Sequence, residues 1–300
     1  LTQLVKAKID SSQSICYGTK PDTLRRTVNA TGADGIYTYQ WQSSSNGTTW
    51  TNVSGQTGMT YLPPLLTSST YYRIISTSTF GCGSLSSDSV FITVYPLLVS
   101  GTIGTGQSIC YNTTPTTLIF TTSPSGGGSV YSYQWQVSSD SIIFANILGG
   151  TGISYTPRSL IANRYYRVLV TSSKGCGSDT TNIIKVRVYT LFVGAEIGSN
   201  DSTCFGFSTD TIKTIILPTG GNGTYSYSWL ESSNGITWGL VTGQTNNYLL
   251  AGVLSASKYY RMITSSGQSC GVDTSSRVFK TLLTQLVKAK IDSSQSICYG

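Results

Sequence analysis

Residues 37–50 read YTYQWQSSSNGTTW. Tyr37, Tyr39 and Trp41 alternate with Thr38, Gln40 and Gln42, the two-residue period of a strand with one buried face. Asn46-Gly47 follows, a pair that favours a type I′ hairpin. The stretch returns as YSYQWQVSSDSIIF at 131–144 and as YSYSWLESSNGITW at 225–238, each time 94 residues on. Asn234-Gly235 repeats the turn pair, whereas the middle copy has Asp140-Ser141 and is expected to turn less tightly.

The cysteines keep the same period. They fall at Cys16, Cys82, Cys110, Cys176, Cys204, Cys270 and Cys298, with gaps alternating between 66 and 28, and 66 + 28 = 94. A fixed period of this size marks a repeat architecture. The expected domains are 1–94, 95–188 and 189–282. Residues 283–300 repeat 1–18 letter for letter and are expected to be the first strand of a fourth repeat. With no signal peptide and Leu at position 1, the chain reads as part of a processed or larger product.

Each repeat resolves into about seven short strands with turn signals between them. Tyr72, Ile74 and Ser76 share one face of a strand; Val90, Ile92 and Val94 share one face of the closing strand. Seven strands in 94 residues predict an all-β chain of tandem immunoglobulin-like sandwiches. Trp41, Trp135 and Trp229 stand where such a sandwich keeps its core tryptophan, and Tyr71-Tyr72 is similar to a tyrosine corner. The cysteines depart from that pattern. Cys16 precedes the second long strand, and Cys82 lies in a Gly-Cys-Gly turn between the last two.

Two pairings are open. Within a repeat, the bonds are Cys16–Cys82, Cys110–Cys176 and Cys204–Cys270, with Cys298 left for a following repeat. Across a junction they are Cys82–Cys110 and its equivalents, with Cys16 left over. Topology favours the first, because the turn carrying Cys82 lies at the end remote from the following domain. Against it, Cys16 falls at the opposite end if it lies near the first turn. Paired cysteines imply an oxidising compartment.

Composition excludes much chemistry. The chain has no histidine, and Glu196 and Glu231 are its only glutamates. A Ser–His–Asp or Cys–His set is therefore excluded, and no matched acid pair or Asp-rich calcium loop recurs. No enzyme activity, cofactor, metal site or nucleic-acid partner is expected, and no apolar run is long enough for a transmembrane segment. The net charge of +7 draws on Lys6, Lys8, Lys20, Arg25 and Arg26, a cluster that the second repeat does not reproduce. It reads as a solvated face. The recurring Arg73, Arg167 and Arg261 are expected to pack along the tyrosines.

The joint order of QSICYNTTPTTL, YTYQWQSSSNGTTWTNVSG, TYLPPLLTSSTYYRI, GCGS and SVFITVYP resembles the Ig-like or PKD-like repeats of giant Bacteroidota surface proteins. Those include gliding adhesins of the SprB type and other long cargo of type IX secretion. The resemblance implies an extracellular, surface-attached stalk or adhesin, partnered by neighbouring repeats or copies of itself in a filament. Nine of the ten aspartates precede Ser or Thr, similar to the O-glycosylation signal of that group. The expected acceptors are Thr23, Ser89, Ser141, Thr180, Ser202 and Thr211; the competing reading is that Asp-Ser/Thr pairs make turns. An alternative function is a carbohydrate-binding array, with Trp50 and Trp238 stacking on surface polysaccharide.

Overall fold

A computed structural model describes residues 2–290 of the chain. It is all-β but for the single 3-10 turn Gly267–Ser269. In the first repeat, one sheet runs in the order Gln13–Cys16, Val90–Tyr95, Thr70–Ser78, Tyr37–Ser44, Thr51–Asn52, with Ser84–Ser86 also paired to Thr70–Ser78. The facing sheet is Lys8–Ile9, Leu24–Val28, Thr60–Tyr61, and Thr2–Val5 pairs separately with Thr31–Ala33. The third repeat carries the same order, from Asp201–Cys204 through Val278–Leu283 and Lys258–Ser266 to Tyr225–Ser232 and Gly239–Val241. The fold is a tandem of immunoglobulin-like sandwiches.

The expected alternation is what builds the core. Thr70–Ser78 buries every second residue, and Val90–Tyr95 does the same. Their inward residues Tyr72, Ile74, Val90, Ile92 and Val94 pack with Leu24, Trp41 and Tyr61. Trp41, Trp135 and Trp229 are fully buried, and each indole N–H donates to a backbone carbonyl, those of Gly58, Gly152 and Asn246, at 3.0–3.1 Å. A buried indole needs such an acceptor, because an unpaired N–H in the core costs about 1–3 kcal/mol. Burial against Tyr61 pushes the Tyr72 hydroxyl well above its ordinary pKa.

The hairpin turns differ from expectation. Only the second residue of the Asn46-Gly47 pair is left-handed, Gly47 at φ 74, so the loop is not type I′. Instead the Asn46 side-chain oxygen accepts the N–H groups of Thr48 and Thr49, while the Ser44 hydroxyl accepts those of Asn46 and Gly47. The middle copy builds the same loop from Ser138 and Asp140, with Ser141 at φ 66. A carboxylate oxygen substitutes for an amide oxygen, so this copy turns as tightly as the others.

The chain divides into two compact units. The first comprises Leu1–Gly106, Thr116–Thr156 and Arg164–Lys185; the second comprises Gln107–Pro115, Pro157–Asn163 and Val186–Gly300. The junction of the first and second repeats lies inside the first unit, and that of the second and third inside the second.

The start of the first repeat forms two short strands on that same repeat. Thr2–Val5 lies on Thr31–Ala33, and Lys8–Ile9 lies on Leu24–Val28, with the fully buried Ala7 between them. The chain then crosses to the other sheet, where Gln13–Cys16 runs parallel to Val90–Tyr95 and brings Cys16 opposite Tyr95. Of the stretch assigned to a fourth repeat, 291–300 lie outside the described residues, Leu283 ends the last strand, and 284–290 form none.

Candidate functional site: the joint between consecutive repeats

The disulfides link neighbouring repeats. Cys16 bonds Cys176, and Cys110 bonds Cys270, each across 160 residues, which is 94 + 66. This corrects the expected intra-repeat pairs Cys16–Cys82, Cys110–Cys176 and Cys204–Cys270, and it is not the Cys82–Cys110 alternative either. The register gives the reason. Cys16 is level with Tyr95, three residues beyond the Ile92–Thr70 pair, whereas Cys82 lies past Ser78 at the other end of that strand. At about 3.3 Å per residue the two cysteines of one repeat are more than about 35 Å apart, and a disulfide spans less than about 7 Å between Cα atoms. The entry-end cysteine of one sandwich therefore meets the exit-end cysteine of the one before it. Among the described residues Cys82 and Cys204 are free and exposed; Cys298 lies outside them.

The peptide link at this joint has no slack. Tyr95 is the last residue of a strand of the first repeat, and the carbonyl of Pro96 already accepts the N–H of Gly127 in the second at 2.8 Å. Val99 and Ser125 then exchange both backbone hydrogen bonds at 3.0 Å. In the second unit, Tyr189 donates to the carbonyl of Ile109, and Thr190 opens the strand Thr190–Val193, which lies on Thr219–Gly221. The connecting segment is thus the edge strand of the repeat it enters.

One glycine position makes that docking possible. Gly32, Gly126 and Gly220 have φ between 72 and 82, and a Cβ at any of them would collide with the carbonyl oxygen of Gln3, Leu97 or Leu191 respectively. A tyrosine hydroxyl holds each glycine's own carbonyl, from Tyr37, Tyr131 and Tyr225. Beyond it, the Asp179 carboxylate accepts the Ser100 N–H at 2.9 Å, and Asp273 accepts that of Gly194 at 3.1 Å. The backbone hydrogen bond from Ser100 holds the Asp179 carboxyl below its ordinary pKa. The sequence signal that marks this position is the recurrence of Gly and Tyr five residues apart at period 94.

The model of one family matches residues 5–96, 99–190 and 193–283. The chain belongs to the family Domain of unknown function (DUF8696). Its three DUF8696 copies begin 94 residues apart, inside the docked edge strand of each repeat. No curated protein sequence matches the chain. Among solved structures it is similar to the three N-terminal domains of the bacteriophage RB49 Highly Immunogenic Outer Capsid protein (Hoc), at 13% identity and a TM-score of 0.45, over 94% of this chain and 99% of that one. It is also similar to Drosophila OTK extracellular domains 3–5, at 13% identity and a TM-score of 0.35, over 93% of this chain and 97% of that one.

The other expected sites of the DUF8696 copies fall elsewhere. Arg73, Arg167 and Arg261 do not run along the tyrosines; they lie over Trp50, Phe144 and Trp238, 4.1–4.4 Å from each ring centre. The guanidiniums of Arg73 and Arg167 also donate to Gln42 and Gln136, which in turn donate to Asn52 and Asn146. One face of each ring is thus taken by the protein itself. Of the expected acceptors, Ser89, Thr180 and Ser202 are exposed, and Thr23, Ser141 and Thr211 are half-buried. Four of the aspartates before them have structural partners: Asp88 on Lys6, Asp140 in its turn, Asp179 on Ser100, and Asp201 on Lys280. In the basic cluster Lys6 pairs with Asp88, and Arg26 lies 3.5 Å over the Tyr39 ring. No group of three or more metal-ligating side chains occurs among the described residues, and none of their helices is long and apolar enough to cross a membrane.

Proposed function

We propose that the chain is a structural segment of an extracellular filament or giant cell-surface adhesin, in which repeats 1–94, 95–188 and 189–282 supply length and their joints supply mechanical resistance. The observation that carries this reading is the disulfide across each junction. A bond inside a sandwich would stabilise that sandwich; a bond between sandwiches governs how the array takes load. Disulfides persist in oxidising surroundings, which supports secretion. The resemblance to Bacteroidota surface repeats supports the type IX route, surface attachment and O-glycosylation at exposed Ser89, Thr180 and Ser202. Residues 283–300 begin a further repeat in this reading.

Single-molecule extension tests it. Unlinked, the chain between Cys16 and Cys270 pays out 254 residues. With both bonds made, either route between those cysteines contains 94 residues of backbone, 16 to 110 or 176 to 270. At about 3.5 Å per residue the oxidised protein should stretch to about 330 Å and the reduced one to about 890 Å over that span. Equal extension in both states would sink the mechanical reading.

A further inference from the structure

We propose that the second repeat holds a binding site for a small uncharged aromatic molecule, a ring system of indole or phenol size that carries an N–H or O–H donor. The site is a cavity of about 460 Å³ lined by Ile119, Phe120, Pro124, Tyr131, Tyr133 and Ile153 among others. It lies between the strand Leu118–Thr122 and the strand Tyr131–Ser138 of the facing sheet. Small-molecule pockets of about 300–1,000 Å³ are of this kind, mostly apolar with a few polar groups.

The first repeat shows what this position holds when the chain fills it. Its equivalents of Phe120, Pro124 and Tyr133 are Arg26, Ala30 and Tyr39, each 94 residues earlier. There the flat guanidinium of Arg26 lies 3.5 Å over the Tyr39 ring, and the Tyr39 hydroxyl accepts the Ala30 N–H at 3.2 Å. The backbone N–H of Arg26 also donates to the Met59 carbonyl at 2.8 Å and ties this edge together. A planar group on the ring and a donor on the hydroxyl complete the site from within the chain.

The second repeat lacks all three features. Phe120 stands in place of the guanidinium and meets Tyr133 edge-on, with ring centres 5.6 Å apart and an interplanar angle of 60°. Pro124 has no N–H to give, and the Tyr133 hydroxyl has no hydrogen-bond partner among the described residues. Nor does the Phe120 N–H repeat the bond that Arg26 makes. Two rings at such an angle leave a corner in which a third stacks on one and sets its edge to the other. No charged or amide side chain lines the cavity. A charged ligand would therefore lose its hydration without a partner, and a sugar would find no side-chain amide or charge for its hydroxyls. An uncharged ring fits the corner, and its N–H or O–H donates to the Tyr133 hydroxyl as Ala30 does to Tyr39. The third repeat has Lys213 and Thr214 where Ile119 and Phe120 stand, so this apolar corner belongs to the second repeat alone.

The test titrates indole into the oxidised full chain with its isoleucine methyl groups labelled with carbon-13. Ring currents should shift the methyl signals of Ile119 and Ile153, which line the cavity and are 54% and 67% exposed. Indene, a ring system of the same size without the N–H, should bind about threefold to tenfold more weakly, the worth of one hydrogen bond. Tyr133→Phe should remove that preference. So should Pro124→Ala, which returns to the hydroxyl the donor present in the first repeat. Phe120→Arg, which copies the first repeat's own plug, should weaken indole by about tenfold or more.

Methyl shifts confined to other isoleucines, or none up to the solubility limit of indole, would overturn the proposal. Equal binding of indole and indene by the unaltered chain would overturn it too, as would indole binding that survives Phe120→Arg. Methyl glucoside shifting Ile119 and Ile153 where indole does not would put a sugar in place of the aromatic ligand. Emission of the buried tryptophans reports whether each variant has folded. Should Phe120→Arg fail to fold, the loss of the indole preference in Tyr133→Phe and Pro124→Ala decides the matter.

Discussion

Cys16 stands beside Tyr95, where the chain leaves the first sandwich, and is bonded to Cys176 in the entry turn of the second. The junction is therefore crossed twice by covalent bonds, once by peptide and once by disulfide. Closing a loop of 160 residues is worth up to about 5 kcal/mol by chain entropy. Cys176→Ser should lower the melting temperature of the oxidised protein, yet leave the emission of the buried tryptophans native at 25 °C, because each core lies within one sandwich. Melting that is unchanged by the substitution would show that the bond contributes nothing to the fold.

Gly126→Ala tests the docked link. The added methyl meets the Leu97 carbonyl in a left-handed backbone, and the expected loss is about 2 kcal/mol or more. Denaturant melts measure it. Gly149→Ala, also left-handed but with open space around it, should cost about 1 kcal/mol from backbone strain alone.

Lys280 is 95% buried, and its ammonium lies 3.0 Å from Asp201 on the neighbouring parallel strand. The first repeat places Ile92 and Gln13 at these positions. Asp201→Ala strands a buried cation and should destabilise the third repeat by on the order of 2 kcal/mol, discounted because the carboxylate is partly solvated. The double change Asp201→Gln with Lys280→Ile, which copies the first repeat, should recover that loss in a urea titration.

The middle hairpin should respond to acid where its sisters do not. Backbone N–H groups of Ile142 and Ile143 and the Ser138 hydroxyl hold the Asp140 carboxyl down at about 2. The stability drawn from that carboxylate is complete above the ordinary value near 4 and is lost as pH falls toward about 2. Amide exchange at Ile142 and Ile143 should accelerate over that window. Exchange at Thr48 and Thr49, held by the neutral Asn46, should follow only intrinsic chemistry.

Trp50→Ala separates packing from sugar stacking. With Arg73 already over the ring, removal should cost about 1 kcal/mol of stability and leave retention on immobilised polysaccharides unchanged. Lost retention with an intact fold would favour the carbohydrate-binding alternative.

The sandwich was legible because its determinants are local. Alternation at Tyr37–Ser44 and Thr70–Ser78 fixes which face is buried, and a tryptophan every 94 residues fixes where each core lies. The joint was less legible because it depends on a crossing. Reading the repeated eighteen-residue stretch as a single first strand leaves the position of Cys16 open, whereas its division into Thr2–Val5, Lys8–Ile9 and Gln13–Cys16 carries the chain to the other sheet and the cysteine to the exit end. The turn loops escaped for a similar reason: Asn46-Gly47 favours a two-residue hairpin, but Ser44 and Asn46 together satisfy a longer one.

The two disulfides interlace, with Cys110 inside the loop closed by Cys16 and Cys176, and Cys176 inside the loop closed by Cys110 and Cys270. Cut the backbone once anywhere between Cys16 and Cys270, and an unbroken covalent route still joins them. A cut before Cys110 leaves the path through Cys176, a cut after Cys176 leaves the path through Cys110, and a cut between them leaves both. A single proteolytic nick can damage one sandwich without shedding what lies beyond it. Breakage of the array is thereby a two-hit event.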